Sequence, residues 1–290
     1  MSEHSPTQPL ILITNDDGIQ SPALHAACRA AQGLGDVLVV APDSQWSGAG
    51  RSLPHHLNGG VSPYPLEVEG REVTAYQVDG SPAAGVLYAL LQLTPRTPDL
   101  LVSGINYGEN LGADVTVSGT VGAALEGAAR GIPALAVSLQ TPKKMHLHPS
   151  GDVDLLAAVH FTRLFARYLL DSSLPYDADV LKVDIPADAT PETPWRLTRV
   201  SRHAYYTAVS PARADLGEPA PIDYEPLRHP ERTELDSDVY ALAVDRVVSV
   251  APLSYDLTAR VDRGRMEELF RGGRHADRAL DSLPRESGVL

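Results

Sequence analysis

The chain has 290 residues, of which 43% are hydrophobic, and carries a formal net charge of −13. This length and composition favour a globular protein with one large domain, or a core domain with an appendage. The negative charge argues against duplex nucleic acid as a partner, because the DNA backbone needs a basic protein face. No apolar stretch is long enough to span a bilayer, the N-terminus lacks the layout of a signal peptide, and Cys28 is the only cysteine. We therefore expect a cytoplasmic protein without a membrane partner or an intrachain disulfide.

Short apolar runs alternate with helical patterns along the first 186 residues. The apolar runs, interpreted as buried strands, span residues 10–13, 37–41, 72–78, 100–103, 134–138 and 180–185. The helical patterns span residues 21–32, 82–93, 119–130 and 152–170. Strands that are spaced by helices indicate βαβ units, so we predict an α/β fold with a mainly parallel sheet.

The character of the chain changes after Pro186. Residues 186–194 and 210–232 are rich in proline and polar residues, which is typical of loops or of an extended arm. Apolar, strand-like runs follow at 239–243 and 247–250, then a helix at 256–270 and a charged tail at 271–290. We predict an α/β core over residues 1–186 and a C-terminal extension over residues 187–290. Because apolar segments appended to a complete core need a surface to cover, we also predict a homo-oligomer.

Two adjacent carboxylates, Asp16 and Asp17, follow the first predicted strand. In open α/β sheets, ligands bind at the carboxyl ends of the strands. Two like charges in contact are costly unless a cation neutralises them, and carboxylate oxygens suit Mg²⁺, Mn²⁺ or Ca²⁺. The alternative interpretation is a polar turn in which Asp16 or Asp17 caps the following helix.

Three further segments can join this pair at the same edge of the sheet. The loop at residues 42–52 is long for a connection between a strand and a helix, and long ordered loops usually serve a site. In residues 103–112, glycines permit tight turns and Asn106 offers a neutral oxygen ligand. Residues 117–122 open a helix whose N–H groups suit phosphate, with the Ser118 hydroxyl as a further donor. Each segment alone is also explained as a glycine-rich loop or a helix cap, but the joint pattern favours a phosphate and metal site.

These motifs together resemble those of the stationary-phase survival protein family, SurE, over most of the chain from residue 10 to about residue 260. The matching segments are Thr14-Asn15-Asp16-Asp17-Gly18, Ala41-Pro42-Asp43, Ser47-Gly48-Ala49, Asp79-Gly80-Ser81-Pro82, Ser103-Gly104-Ile105-Asn106, Asn110-Leu111-Gly112, Ser118-Gly119-Thr120-Val121-Gly122 and Asp238-Val239-Tyr240-Ala241. The resemblance implies a Rossmann-like three-layer sandwich whose C-terminal extension is exchanged within a homodimer or homotetramer. It also implies a metal-dependent 5′/3′-nucleotidase that hydrolyses nucleoside monophosphates with one divalent cation per subunit, Mg²⁺ or Mn²⁺.

The resemblance also assigns roles to single residues. By motif match, the metal ligands would be Asp16, Asp17, Ser47 and Asn106. The substrate phosphate would lie near Asn110, Ser118, Gly119 and Thr120. Asp16 and Asp17 would be the catalytic residues, one of which orients or deprotonates an attacking water. An aspartyl-phosphate intermediate is the alternative.

The chain departs from the family pattern at Ser44-Gln45-Trp46, where basic residues are usual, and at Val117, where an aromatic residue is usual. Either the phosphate site lacks a cationic side chain, or Arg51 supplies one from nearby. Trp46 stacks on a base, closes the pocket, or has only a packing role in the protein. The departure at Ser44-Gln45-Trp46 leaves a nucleotide-binding module without turnover as an alternative. A phosphatase that acts mainly on short polyphosphate is a second, enzymatic alternative. We interpret the other polar and aromatic features as surface, packing or interface residues: His55, His56, His146, His148, Lys143, Lys144, Tyr205 and Tyr206.

Overall fold

The computed structural model describes residues 8–54, 58–146, 152–213 and 215–272. The strands are β1 Leu10–Thr14, β2 Asp36–Pro42, β3 Val61–Pro63, β4 Leu66–Val68, β5 Arg71–Val78, β6 Leu100–Tyr107, β7 Ala134–Leu139, β8 Val180–Ile185, β9 Trp195–Leu197, β10 Tyr206–Val209, β11 Asp223–Pro226 and β12 Val248–Leu253. The α-helices are α1 Pro22–Ala31, α2 Pro82–Tyr88, α3 Gly119–Ala128, α4 Leu156–Asp171, α5 Asp238–Ala243 and α6 Arg263–Gly272. The described residues fall into two compact units, which divide between Tyr255 and Asp256.

The first unit is built on one sheet with the strand order β3-β5-β2-β1-β6-β7-β8-β12-β9, and β4 pairs with β5 at one end. The six strands from β5 to β8 in this order are parallel. Strands β3 and β4 pair antiparallel with β5, and β12 pairs antiparallel with β8 but parallel with β9. The predicted α/β fold with a mainly parallel sheet is therefore confirmed. Because the central strands are parallel, their carboxyl ends lie at one edge, where β1 ends just before Asp16.

The central strand β1 is buried on both faces, which explains its uninterrupted apolar sequence. Ile11 and Ile13 belong to the core cluster that α1 and α4 cover. Leu12 belongs to the opposite cluster, which α2 and α3 cover. Full burial of one such side chain contributes about 1.5–3 kcal/mol, so both helix layers hold β1 in place. The result is the predicted three-layer sandwich.

The sheet continues beyond the predicted core boundary at residue 186. Strand β12 pairs antiparallel with β8, and β9 pairs with β12, while β10 and β11 form a separate hairpin. The prediction of a strand-like run at residues 239–243 is wrong, because this segment is helix α5. Ser237 caps that helix by accepting a hydrogen bond of 3.1 Å from the N–H of Tyr240. The buried residues Val239 and Leu242 then lie one helical turn apart and pack together.

The second unit contributes helix α6, which begins at Arg263 rather than at residue 256 as predicted. The predicted tail lies outside the described residues from residue 273 onward. Within the described ranges, none of the helices has both the length and the apolar character that crossing a membrane requires.

Candidate active site

A pocket of about 260 Å³ opens at the carboxyl ends of the central strands. Five of the residues predicted for the metal and the phosphate line it, and they come from four different segments: Asp16, Ser47, Asn106, Asn110 and Ser118. The other lining residues are Gly48, Tyr107, Gly108, Glu109, Asp114, Val117, His146, Tyr206 and Tyr224. The fold therefore brings together groups that are up to 102 positions apart in the sequence, from Asp16 to Ser118.

Asp16 is buried where β1 ends, and the first turn of α3 holds its carboxylate. Oδ2 accepts the N–H of Thr120 at 3.0 Å, and Oδ1 accepts the Thr120 hydroxyl at 2.5 Å. A Cβ atom on Gly119 would lie 2.7 Å from Asp16 Oδ2, so only glycine allows this close approach. Burial raises the pKa of the Asp16 carboxyl, although the hydrogen bonds from Thr120 oppose this shift. The Ser118-Gly119-Thr120 turn thus fixes the orientation of Asp16.

Asp17 is also buried, is not among the residues that line the pocket, and is held by different donors. The backbone N–H of Tyr107 donates to its Oδ2 at 3.0 Å, and Gln45 Nε2 donates to its Oδ1 at 3.2 Å. Burial and the adjacent charge of Asp16 raise the pKa of Asp17 to about 8. The groups that lower the pKa of the two carboxyls are hydrogen-bond donors and include no cationic side chain. The pair is therefore electrostatically suited to an added cation.

Asn106 and Ser47 offer neutral oxygens beside this pair. The pairing of β6 with β7 shifts its register between Ser103 and Asn106, and Gly104 there adopts a φ of +129° that glycine allows. Asn106 Nδ2 donates to the carbonyl oxygen of Gly108 at 2.7 Å, which leaves the amide oxygen available as a ligand. The loop carrying Ser47 is tied to the aspartates because the N–H of Trp46 donates to the Asp16 carbonyl oxygen at 2.7 Å.

The donor set at this site fits a hard divalent cation. The described part of the chain contains no group of three or more His, Cys, Asp and Glu side chains that could hold a metal. A cation here would depend on the two carboxylates, the Asn106 amide oxygen and the Ser47 hydroxyl. Oxygen donors with two negative charges are what Mg²⁺ and Mn²⁺ prefer, whereas softer metals prefer nitrogen and sulfur.

The residues predicted for the phosphate differ in how they face the pocket. Ser118 Oγ accepts the N–H of Val121 at 3.1 Å as the cap of α3, so its own hydroxyl hydrogen remains available to a ligand. Asn110 Nδ2 donates to Ser138 Oγ at 2.8 Å and has a second hydrogen to donate. Gly119 and Thr120 are not among the lining residues, and Thr120 is directed to Asp16. Of the four residues predicted for the phosphate, Asn110 and Ser118 therefore have side-chain hydrogens available in the pocket.

A buried ionic network holds the main chain of Asn110. Lys182 Nζ donates to the Asn110 carbonyl oxygen at 2.8 Å, contacts Asp184, and lies 3.1 Å from Asp238 Oδ2. The N–H of Asn110 donates to Asp184 Oδ1 at 2.8 Å. Burial raises the pKa of Asp184 to about 6 against the opposing effect of Lys182. This network was not predicted from the sequence, where its only signal is a lysine and an aspartate inside the otherwise apolar strand β8.

Several lining residues were not predicted either. Glu109 is buried in the glycine-rich loop, and Asp114 Oδ2 accepts the N–H groups of Tyr205 and Tyr206 at 2.8 Å each. The interpretation of His146 as a surface residue is wrong, since it is half-buried and lines the pocket. Of the other histidines in that interpretation, His55, His56 and His148 lie outside the described residues. Tyr206 lines the pocket, whereas Tyr205 packs in a small core cluster.

The structure shows where the residues that depart from the family pattern lie and what they contact. Gln45 binds Asp17, and Trp46 is not among the residues that line the pocket. Arg51 forms an ion pair of 2.6 Å with the buried Glu126, so its charge is directed away from the predicted phosphate position. Val117 lines the pocket as an exposed aliphatic side chain. In the described residues, none of the lysines and arginines lines this pocket.

The comparisons with known proteins agree with this arrangement. Residues 11–207 match the family model described as Survival protein SurE. The chain is 39% identical over 269 residues to the 5′-nucleotidase SurE of Thermococcus gammatolerans, which covers 90% of this chain and 96% of that protein. It is 40% identical over 254 residues to the 5′-nucleotidase SurE of Thermococcus kodakarensis, and the aligned residues cover 87% of this chain and 95% of that protein. The crystal structure of the SurE protein from Aquifex aeolicus superposes with a TM-score of 0.70 at 30% identity and covers 91% of this chain and 100% of that one. The chain therefore belongs to the SurE family.

Proposed function

We propose that the protein is a metal-dependent phosphomonoesterase that hydrolyses nucleoside 5′- and 3′-monophosphates to nucleoside and phosphate. The relatives named above as 5′-nucleotidases support the reaction class. The observation that carries the proposal is the pocket in which Asp16, one of two adjacent buried carboxylates, lies with the hydroxyl of Ser118 and the amide of Asn110. Metal-assisted phosphate release requires acidic ligands that hold the metal, and here these lie beside uncharged groups that can donate hydrogen bonds to phosphate.

Asp16, Asp17, Ser47 and Asn106 would hold one divalent cation per subunit, with Mg²⁺ or Mn²⁺ as the best match to these oxygens. When bound, such a cation supplies Lewis-acid chemistry: it neutralises phosphate charge and lowers the pKa of a water. The absence of lysine and arginine from the described lining makes this positive charge the one that would offset a dianionic substrate. Thr120 and Tyr107 keep the two carboxylates in fixed orientations through their hydrogen bonds.

Asn110 and Ser118 would bind the phosphate oxygens from the other side of the pocket. Their donors are uncharged but are held in place, Ser118 by its helix cap and Asn110 by Ser138 and the Lys182 network. Gly119 and Thr120 would contribute to phosphate binding through the turn that they form with Ser118. Donors that are already oriented stabilise the transition state without reorganisation at the moment of reaction.

Water is the better supported nucleophile. Both Asp16 oxygens accept hydrogen bonds from Thr120, and the two Asp17 oxygens accept hydrogen bonds from Gln45 and Tyr107. A carboxylate oxygen with a committed donor is less available for attack on phosphorus than a free one. Asp16 lines the pocket and would orient the attacking water or accept its proton.

A substrate panel tests the proposed function. Purified protein is assayed with nucleoside 5′- and 3′-monophosphates, p-nitrophenyl phosphate and short polyphosphate, each with Mg²⁺, with Mn²⁺ and with a chelator. We expect metal-dependent release of phosphate that is fastest with the nucleotides. Faster release from polyphosphate would assign the protein to the alternative phosphatase class, and no turnover with either metal would leave only a binding role.

Two further proposals concern the oligomeric state and the cellular location of this enzyme. We propose a homodimer or homotetramer in which residues 187–290 contribute to subunit exchange, supported by exposed apolar side chains in that region such as Leu216 and Ile222. We also propose a cytoplasmic location, which is supported by the single, buried Cys28.

A further inference from the structure

The Gln45 side chain joins the proposed metal site to a segment far along the chain. Its Nε2 atom donates to Asp17 Oδ1 at 3.2 Å, and the same nitrogen donates to the backbone carbonyl oxygen of His146, 101 positions away. A primary amide has two N–H hydrogens, so this side chain has one hydrogen for each acceptor. Both partners therefore set its orientation, and a shift of His146 is passed to the donor that holds Asp17.

The imidazole ring of His146 is held at both nitrogens. Nε2 lies 3.1 Å from the Thr141 carbonyl oxygen, which can only accept, so Nε2 carries the hydrogen. Nδ1 lies 2.8 Å from Tyr224 Oη and accepts from this hydroxyl in the neutral ring. The Tyr224 ring also stacks on the imidazole, with ring centres 5.9 Å apart and planes 9° apart. The position of His146 therefore depends on Tyr224, which belongs to strand β11.

The hairpin formed by β10 and β11 is seated on the α/β core. Asp114 Oδ2 accepts the N–H of Tyr206 at 2.8 Å, which holds β10. Lys143 Nζ donates to the Tyr224 carbonyl oxygen at 2.6 Å, which holds β11. The Tyr206 ring then meets Tyr224 and His146 edge-on, with ring centres 5.0 Å and 6.1 Å away. The seated hairpin therefore keeps the His146 ring in one place.

The same ring packs beside another of the proposed metal ligands, Asn106. A Cβ atom on Gly108 would lie 3.0 Å from His146 Cδ2 and Nε2, so the ring lies directly against this glycine. The Gly108 carbonyl oxygen accepts the hydrogen bond from Asn106 Nδ2 at 2.7 Å. His146 thus contacts the partners of two proposed ligands, Gln45 for Asp17 and Gly108 for Asn106.

We propose that Gln45 is a positioning residue that couples the metal site to the seated β10–β11 hairpin, with His146 as the connection between them. This proposal rests on the proposed function for the role of Asp17 as a metal ligand, and it extends that function by making the hairpin a regulator of metal affinity. Such coupling is reciprocal: if the seated hairpin strengthens metal binding, the bound metal strengthens the seating of the hairpin by the same factor. A glutamine that only filled space would stabilise the fold without linking the two.

The first test measures metal affinity without substrate. Mg²⁺ and Mn²⁺ are titrated calorimetrically into the wild type, Gln45→Met, Tyr224→Ala and the double variant. Gln77→Met is the matched control, because Gln77 on β5 also donates a side-chain hydrogen bond, to Ser62 Oγ, and is not among the residues that line the pocket. Circular dichroism melts verify that each variant is folded.

We expect Gln45→Met to weaken metal binding by about 10–100-fold, which is typical when the partner of a metal ligand is removed. Tyr224→Ala should weaken it roughly fivefold in the wild-type background but less than about twofold in Gln45→Met, because the connection is already broken there. Gln77→Met should bind metal as the wild type does. Equal effects of Tyr224→Ala in both backgrounds, or wild-type affinity in Gln45→Met, would overturn the coupling.

The second test measures the reciprocal effect on the hairpin. Hydrogen exchange of the backbone amides in β10 and β11 is followed with a chelator and with Mg²⁺ at a concentration that saturates each protein. We expect Mg²⁺ to slow this exchange about fivefold in the wild type and in Gln77→Met, and to have little effect in Gln45→Met. The wild-type result stands even where a variant does not fold. Exchange that Mg²⁺ leaves unchanged in the wild type would contradict the coupling.

The outcomes separate this coupling from the proposed function. If metal binding and exchange behave as expected but no nucleotide is hydrolysed with Mg²⁺ or Mn²⁺, the proposed function fails and the coupling stands. Metal-dependent phosphate release together with an unaltered metal affinity of Gln45→Met would show the reverse. A wild type that binds neither Mg²⁺ nor Mn²⁺ would contradict both.

Discussion

Lys182 and Asn110 are joined by a hydrogen bond of 2.8 Å from the buried ammonium group to the backbone carbonyl oxygen. This contact links the strand β8 to the loop that carries a proposed phosphate donor. Asp184 and Asp238 neutralise the ammonium: burial alone would lower the pKa of Lys182, but these two carboxylates raise it above its usual value. The loop is therefore fixed by charge as well as by packing.

Removing this ammonium should destabilise the protein. In Lys182→Met, two carboxylates that are fully buried lose their cation, which typically costs about 3–5 kcal/mol. The free energy of unfolding, measured with urea, should fall by that amount, and nucleotidase kcat/KM should fall as Asn110 loses its support. Lys144→Met, at an exposed lysine, is the control and should change stability by less than about 0.5 kcal/mol. Equal stability of the two variants would contradict this account of Lys182.

The hydrogen-bonded turn at Gly119 should tolerate no side chain. In Gly119→Ala, the new Cβ would lie 2.7 Å from Asp16 Oδ2 and 2.8 Å from Asp16 Cβ, so the carboxylate must move. We expect metal affinity, measured by calorimetric titration, to fall at least tenfold while the protein stays folded. Gly85→Ala is the control, because its Cβ would meet only ordinary contacts at 3.5 Å and alanine favours the helix. An unchanged metal affinity in Gly119→Ala would show that the turn does not orient Asp16.

The sequence predicts those residues of the site whose positions are set by the strand or helix next to them in the chain. It does not predict contacts that depend on how distant elements pack. Asp16 follows a strand, Asn106 lies at the end of one and Ser118 opens a helix. Because the carboxyl ends of parallel strands share one edge of the sheet, the strand-helix pattern is enough to bring these residues together. Lys182 and Asp238 are 56 positions apart, and their ion pair depends on how β8 packs against α5. Neither residue type nor spacing encodes that packing.

The two wrong predictions have different origins. The run at residues 239–243 is too short for its apolar residues to distinguish a strand from a helix, and the cap at Ser237 decides the outcome. His146 and Tyr206 line the pocket only because the hairpin β10–β11 folds back onto the core, through contacts such as that between Lys143 and Tyr224. An arm rich in proline gives no pattern from which to predict where it docks.

The metal-free protein should lose stability as the pH rises. The folded state raises the pKa of Asp17 from its ordinary value to about 8, so over the intervening pH range the folded protein binds a proton that the unfolded chain has released. The free energy of unfolding should therefore decrease with increasing pH, by roughly 2 kcal/mol between about pH 6 and pH 8 if Asp17 alone titrates.

Thermal melts across this pH range, with a chelator and with saturating Mg²⁺, measure the effect. Mg²⁺ should weaken or reverse the pH dependence, because a cation displaces the proton. Asp17→Asn should remove most of the dependence in the chelated sample. A wild-type profile identical to that of Asp17→Asn would contradict the assignment to Asp17.

The exposed apolar side chains of the C-terminal region should be covered in solution. Leu197, Leu216, Ile222 and Leu235 are each more than 60% exposed in the single chain. Light scattering should give two or four times the chain mass of 31.0 kDa, and Leu216→Asp with Ile222→Asp should shift the protein towards the single-chain mass. A wild-type mass of one chain at micromolar concentration would contradict subunit exchange.

The central claim is that Asp16 holds a catalytic cation rather than capping a turn. Asp16→Asn keeps the size of the side chain and a good helix-capping group, but it removes one negative charge from the site. The matched control is Asp36→Asn, which changes an exposed aspartate at the opposite end of β2. Both variants should keep the fold, and the metal-free Asp16→Asn protein should melt at or above the wild-type temperature, because repulsion between the carboxylates is relieved.

The decisive measurement is the rate of phosphate release from a nucleoside 5′-monophosphate as a function of Mn²⁺ concentration, for the wild type and both variants. We expect Asp36→Asn to follow the wild type and Asp16→Asn to lose at least a hundredfold in kcat/KM, with saturation moved to higher Mn²⁺. Near-normal turnover of Asp16→Asn at saturating Mn²⁺ would contradict the assignment of the metal to this pair.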